Sequence, residues 1–203
     1  MIHLPRLYAI LDAAGFKAPS SMLAAAEELQ AAGVTLLQYR NKNGNAHQML
    51  EDARQLKQKL PHIRLIMNDR ADLCLAAEFD GVHIGQEDLS AEGARRVIGP
   101  KLWLGVSTHN PEQLRQADLT SADYLAIGPV FSTSSKLNPD PVVGLEGVRR
   151  ARELTRQPLV AIGGITRANA RSVIDAGADS VAVISELAGS PCERAEEFFR
   201  ILG

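Results

Sequence analysis

Three polar side chains at alternate positions, Gln38, Arg40 and Lys42 in "TLLQYRNK", are the first residues of this chain with a spacing that implies chemistry. Side chains alternate faces along a strand, so these three share one face with Leu36, while Leu37, Tyr39 and Asn41 share the other. Leu37 and Tyr39 suit an apolar layer. The two cations therefore point the opposite way, where they would repel and lose hydration unless a bound anion offsets the cost. Two carboxylates follow: Asp69, beside Asn68 in "RLIMND", and Asp88, beside Glu87 in "GVHIGQED". Neighbouring strands lie about 4.8 Å apart, close enough for Asp69 and Asp88 to share a small cation. Oxygen ligands without a His or Cys cluster favour Mg²⁺, which is held by one or two carboxylates and completes its shell with water and substrate phosphates. The same two residues suit helix capping equally well, and spacing leaves both readings open. Gly163 and Gly164, in "AIGGITRANA", let backbone N–H groups approach an anion with no Cβ in the way; the amides of Ile184 and Ser185 in "VISEL" lie on the next tip. Tight packing is the alternative use of that glycine pair. Ser107 either orients a ligand or caps the next helix, and His83 and His109 are either acid/base groups or packed histidines.

These residues need elements to bring them together. Short apolar runs alternate with longer amphipathic stretches from end to end, the pattern of repeated βα units. Eight runs read as strands: "RLYAILD", "TLLQYRNK", "RLIMND", "GVHIG", "LWLGVST", "YLAIGPV", "PLVAIGGI" and "SVAVISEL". Helix-like segments lie between them, the weakest being "ADLCLAAEF", and the one in "TRANARSVIDAGA" opens at Thr166. Eight such units in 203 residues predict a compact α/β fold, a (β/α)8 TIM barrel, as one domain over 1–203. An open doubly wound sheet would carry a Gly-rich fingerprint after its first strand, and "DAAGFKAPS" is none. In a barrel the polar residues above all lie at the C-terminal tips of strands, where barrel active sites are built, and loops seven and eight commonly hold a phosphate.

Composition bounds the partners. A net charge of −2 gives no global cationic field, which argues against nucleic acid or an anionic membrane surface. No apolar stretch approaches the roughly 20 residues of a bilayer span, and "MIHLPRLYAILDAAG" lacks the features of a secretory signal. Cys74 and Cys192 match no metal or redox spacing and read as reduced thiols, so a cytoplasmic location is expected. Small molecules are the expected partners, and a homo-oligomer stays open.

"QYRNK", "MNDRADL", "GVHIGQEDL", "GVSTH", "GPVFSTSSK", "AIGGI" and "GADSVAVIS" are similar, in order and spacing, to the motifs of the thiamine phosphate synthase family. That resemblance covers all eight units. It implies Mg²⁺-dependent condensation of 4-amino-2-methyl-5-(diphosphooxymethyl)pyrimidine with thiazole phosphate, or its carboxylated form, releasing pyrophosphate through a dissociative, pyrimidine-cation route. It further implies that Gln38, Tyr39, Arg40, Asn41, Lys42, Asn68, Ser107 and Lys136 hold the pyrimidine diphosphate, with Arg40, Lys42, Ser107 and Lys136 acting in catalysis. Asp69 and Asp88 would bind the metal. Thr133, Ser134 and Ser135, with Gly164, Ile184 and Ser185, would hold the thiazole phosphate.

The loop "FSTSSKLNPDP" departs from the family's usual Pro-Thr-Pro-Thr-Lys, and loss of the prolines is expected to loosen it before binding, making 131–143 a candidate lid. The related thiazole tautomerase is the nearest rival. It would dispense with the diphosphate and metal residues and carry a His near the sixth strand tip, where this sequence has Pro129. A Schiff-base aldolase using Lys136 would need an apolar or cationic setting that a hydroxyl-rich loop does not supply. A non-catalytic sensor of thiazole phosphate would have no use for Arg40, Lys42 and the two carboxylates.

Overall fold

The computed structural model describes residues 2–133 and 140–203. Eight parallel strands close into one barrel in sequence order: β1 (Leu7–Asp12), β2 (Leu36–Arg40), β3 (Arg64–Asn68), β4 (Gly81–Ile84), β5 (Trp103–Thr108), β6 (Tyr124–Ile127), β7 (Leu159–Ile162) and β8 (Ser180–Val183). A helix follows each: α1 (Pro19–Ala31), α2 (Ala46–Lys59), α3 (Ala71–Ala76), α4 (Ala91–Ile98), α5 (Pro111–Asp118), α6 (Gly144–Leu154), α7 (Ala170–Asp175) and α8 (Pro191–Leu202). The expected TIM barrel is therefore present, and its weakest helix, α3, is indeed short.

Alternation sorts the strand residues into two cores. Leu37 and Tyr39, with Leu65, Met67, Val82, Leu104, Leu125 and Val181, face the helix layer. Tyr8, Ile10, Leu36, Ile66, Tyr124, Ala126, Val160 and Ala182 fill the barrel interior. The inward face thus begins apolar at Leu36 and turns polar at Gln38 and Arg40 as β2 approaches the mouth. Among the described residues no helix is long and apolar enough to cross a membrane.

Several element ends differ from the sequence reading, and three of them shape the mouth. β2 stops at Arg40 and does not run to Lys42, because the Asn41 side chain accepts from the amides of Asn43 (3.2 Å) and Gly44 (2.7 Å) and turns the chain. The seventh helix starts at Ala170, four residues after Thr166: Asn169 accepts from the Thr166 amide (2.8 Å) and donates to the Gly164 carbonyl (3.1 Å), holding 164–169 as a turn. After β8 the chain winds into a short 3-10 turn over Ser185–Leu187 and does not extend as strand.

The end of the barrel opposite the mouth is held by one device used three times. Asp80, Asp123 and Asp179 stand immediately before β4, β6 and β8. Each accepts, at 2.8 Å, the backbone N–H of a residue in the preceding strand, Leu65, Leu104 and Leu159. Each also pairs with a cation from the helix that leads into that preceding strand, Lys57 of α2 (3.2 Å), Arg95 of α4 (2.6 Å) and Arg152 of α6 (2.9 Å). Arg95 and Arg152 bond to loop carbonyls as well, so each guanidinium ties a helix to two loops. Asp123→Ala removes a charged acceptor and strands Arg95. The expected cost is about 2–3 kcal/mol, seen as a melting temperature lower by roughly 5–10 °C, with kcat unchanged at 25 °C because the site lies at the other end.

Candidate active site

Arg40 closes β2, and the pairing of β1 with β2 sets it opposite Asp12. Asp12 Oδ2 accepts from the Arg40 guanidinium, both side chains being largely buried, while Asp12 Oδ1 receives the Ala14 amide at 3.2 Å. Arg40 is therefore held at the mouth by a carboxylate that the sequence reading did not single out. A strand-ending acid was its one available signal. Lys42, just past the strand, donates to Asp69 at the tip of β3. Asp69 adopts a left-handed φ of 60°, unusual for a residue with a Cβ, and its amide donates to the His83 carbonyl at 2.8 Å, which clamps it between β3 and β4.

Neither carboxylate caps a helix. The cap position of α3 is Arg70, and Ser90 caps α4 through the Gly93 amide. Asp88 instead accepts the Gly85 amide at 2.7 Å, which bends the loop after β4 back toward Asp69. Burial raises the Asp69 carboxyl above the usual Asp range; Lys42 opposes that shift and the neighbouring Asp88 adds to it. Two acids this close are short of positive charge.

Gln38, Asn68 and His83 are buried on the inward face beneath this charged rim. Burial pushes the His83 imidazole down to about 4, so it is neutral at physiological pH. Its Nε2 lies 2.8 Å from Ser107 Oγ on β5, and helix α5 is capped by Asn110, leaving Ser107 to face the mouth. His109 bonds through Nδ1 to the Gly128 carbonyl at 2.6 Å, on the α5–α6 side of the barrel.

Tyr39 and Asn41, grouped with the substrate-binding stretch in the sequence reading, turn away from the mouth. The Tyr39 hydroxyl donates to Asp52 of α2 (2.8 Å) and accepts from Asn41 (3.1 Å), so these two side chains brace the end of β2 from outside. Cys74 and Cys192 are free.

Across the barrel, Gly163 and Gly164 have φ of 98° and 62°. A Cβ on Gly163 would lie 2.5 Å from the Pro129 side chain, and one on Gly164 would lie 2.4 Å from the Ser132 carbonyl. The glycine pair serves close packing of the loop after β6 as well as backbone access. Ile184 and Ser185 enter the 3-10 turn beside it, and the nearest cation in sequence, Arg167, is engaged by Glu186 and Glu197. Thr133 closes the first described part of the loop; Ser134, Ser135 and Lys136 lie outside the described residues, as does the middle of the candidate lid, 134–139.

The family model described as Thiamine monophosphate synthase matches residues 7–187, all eight strands included. The chain belongs to the thiamine monophosphate synthase family. A relative in this family, the thiamine-phosphate synthase of Koribacter versatilis (strain Ellin345), is 62% identical over 99% of this chain and 97% of its own length. The thiamine-phosphate synthase of Chloroflexus aurantiacus is 45% identical over 89% of this chain and 83% of its own. Among solved structures, the thiamine phosphate pyrophosphorylase from Pyrococcus furiosus superposes with a TM-score of 0.86 at 34% identity, covering 97% of this chain and 95% of that one.

Proposed function

We propose that this mouth carries out the thiamine phosphate synthase reaction on 4-amino-2-methyl-5-(diphosphooxymethyl)pyrimidine and thiazole phosphate, with Mg²⁺ held by Asp69 and Asp88. The observation that carries the reading is near-full-length identity of 62% to a thiamine-phosphate synthase, in a chain whose mouth gathers two cations, Arg40 and Lys42, and three carboxylates, Asp12, Asp69 and Asp88. In the reaction the C–O bond to diphosphate breaks with its electron pair leaving on oxygen, and a C–N bond forms from the thiazole nitrogen. The methylene carbon is attached to an amino-substituted ring that shares the developing positive charge, so the bonds can break and form in that order. Arg40 and Lys42 stabilise the departing charge, the task for which a preorganised site is most effective. Gln38, Asn68 and Ser107 line the inward face below them, where a pyrimidine ring would sit. Lys136, Ser134 and Ser135 are proposed for the diphosphate and the thiazole phosphate from the family resemblance alone.

The metal reading draws on the donor set. Among the described residues no group of three or more His, Cys, Asp or Glu side chains converges. A pair of carboxylates short of positive charge suits an ion that takes its remaining ligands from water and phosphate. Bound Mg²⁺ would supply Lewis-acid neutralisation of the diphosphate oxygens. Nothing in the chain needs to act as a base: the thiazole nitrogen is already nucleophilic and needs placing, and the buried neutral His83 already bonds on both ring nitrogens.

Pyrophosphate release from the two substrates with Mg²⁺ tests the assignment, and well-folded protein that releases none would sink it. The raised Asp69 carboxyl adds a pH signature. A carboxyl with a raised pKa takes up its proton sooner as pH falls, so the acid limb of kcat/KM should lie above the ordinary Asp range. Raising Mg²⁺ should move that limb to lower pH, because the metal competes with the proton.

A further inference from the structure

We infer that Tyr8, Tyr124 and His83 form a proton-ordered chain that fixes which side of the pyrimidine pocket donates a hydrogen bond and which accepts one. Five side chains link across the barrel: Gln38 Nε2 to Tyr8 Oη (2.9 Å), Tyr8 Oη to Tyr124 Oη (3.1 Å), Tyr124 Oη to His83 Nδ1 (3.1 Å) and His83 Nε2 to Ser107 Oγ (2.8 Å). They come from β1, β2, β4, β5 and β6, and Tyr8 and Tyr124 are almost wholly buried. The fold makes room for the chain at Gly105, where a Cβ would stand 2.1 Å from Tyr124 Cζ and 2.3 Å from His83 Nδ1.

The order follows from counting protons. An amide nitrogen only donates, so Tyr8 accepts from Gln38; its hydroxyl is buried with Tyr124 as its other partner, and its single proton is assigned there. Tyr124 in turn spends its proton on His83 Nδ1. A neutral imidazole with a bare Nδ1 carries its proton on Nε2 and donates to Ser107. Ser107 is left with its own proton for the mouth, and Gln38 is left with its carbonyl oxygen. The pocket thus offers an acceptor on the β2 side and a donor on the β5 side, and an aminopyrimidine offers the complement, an amine that donates and a ring nitrogen that accepts. The inference rests on the proposed substrate. Tyr8, Tyr124 and His83 are positioning residues within it.

The test pairs NMR with kinetics on the full chain. In ¹⁵N-histidine-labelled protein, with the His83 signal identified by its loss in His83→Asn, the expected form is protonated Nε2 and bare Nδ1. Tyr8→Phe should release the order and populate the other tautomer. Tyr8→Phe and Tyr124→Phe should each raise KM for the pyrimidine diphosphate about tenfold, the equivalent of one hydrogen bond, with KM for thiazole phosphate held within about twofold. Because one break suffices, the double variant should be no worse than either single. A protonated Nδ1 in the wild type overturns the proposed order. Unchanged kinetics in both variants, or equal rises in both KM values, overturns the positioning role. Wild-type pyrophosphate release is measured alongside; its absence would count against the reaction, whereas the tautomer reports on the chain itself.

Discussion

Arg40→Gln is expected to lower kcat/KM by about 10²–10³-fold, the range for removing one preorganised group from a developing negative charge. Arg40 is mostly shielded from water and fixed by Asp12, so its charge is aimed before substrate arrives and little reorganisation accompanies the reaction. Glutamine keeps much of the length and two donors but no charge. Arg40→Lys restores the charge without the planar fork and should recover only part of the loss. The effect belongs in kcat as well as in KM, since the diphosphate carries more charge on departure than in the bound substrate. Removing Arg40 also leaves Asp12 with an uncompensated buried charge, so some loss of melting temperature is expected. Steady-state pyrophosphate release beside thermal unfolding separates the two: a lower melting temperature with unchanged kcat/KM would make Arg40 a structural partner of Asp12 and nothing more.

Asp69→Asn should be as damaging, through the metal. The substitution keeps shape and removes charge, and a loss of roughly 10²–10³-fold in kcat/KM corresponds to a few kcal/mol of metal-derived stabilisation. The half-saturating Mg²⁺ concentration should rise along with it, and the acid limb assigned to this carboxyl should disappear. Lys42, deprived of its partner, is freed at the same time, so a rise in pyrimidine diphosphate affinity would partly mask the defect in KM but not in kcat. Calorimetric Mg²⁺ titration in the presence of pyrophosphate checks the binding directly. Binding equal to that of the wild type would remove Asp69 from the ligand set.

Much of this was legible in the residues themselves. The alternation in "TLLQYRNK" separates Gln38 and Arg40 from Tyr39, and the barrel follows from eight βα units. Other parts were hidden for identifiable reasons. Asp12 ends the first strand run with no spacing to mark it; its Oδ1 accepts the Ala14 amide, and only the β1–β2 register sets its second oxygen against Arg40. Asp69 and Asp88 read equally as caps until Arg70 and Ser90 are found in those positions. Tyr8 and Tyr124 look like ordinary core residues because the bond joining their hydroxyls spans 116 positions of sequence. The end of β2 was misjudged because an Asn41 side chain competing for backbone amides leaves no periodic trace.

The three aspartate clamps at the base have a consequence for how this chain can change over time. Closure of the barrel is secured there by Asp80, Asp123 and Asp179 with their cations, at the end opposite the mouth. Variation in the exposed loops of the mouth, away from pairs such as Arg40 and Asp12, is thereby less tied to assembly of the strands. A rim segment such as the hydroxyl-rich 132–135 can change its side chains without testing whether the barrel still forms. The molecule is in this sense a conservative base carrying an experimental rim, and mutational tolerance should divide along the barrel axis more than along the sequence.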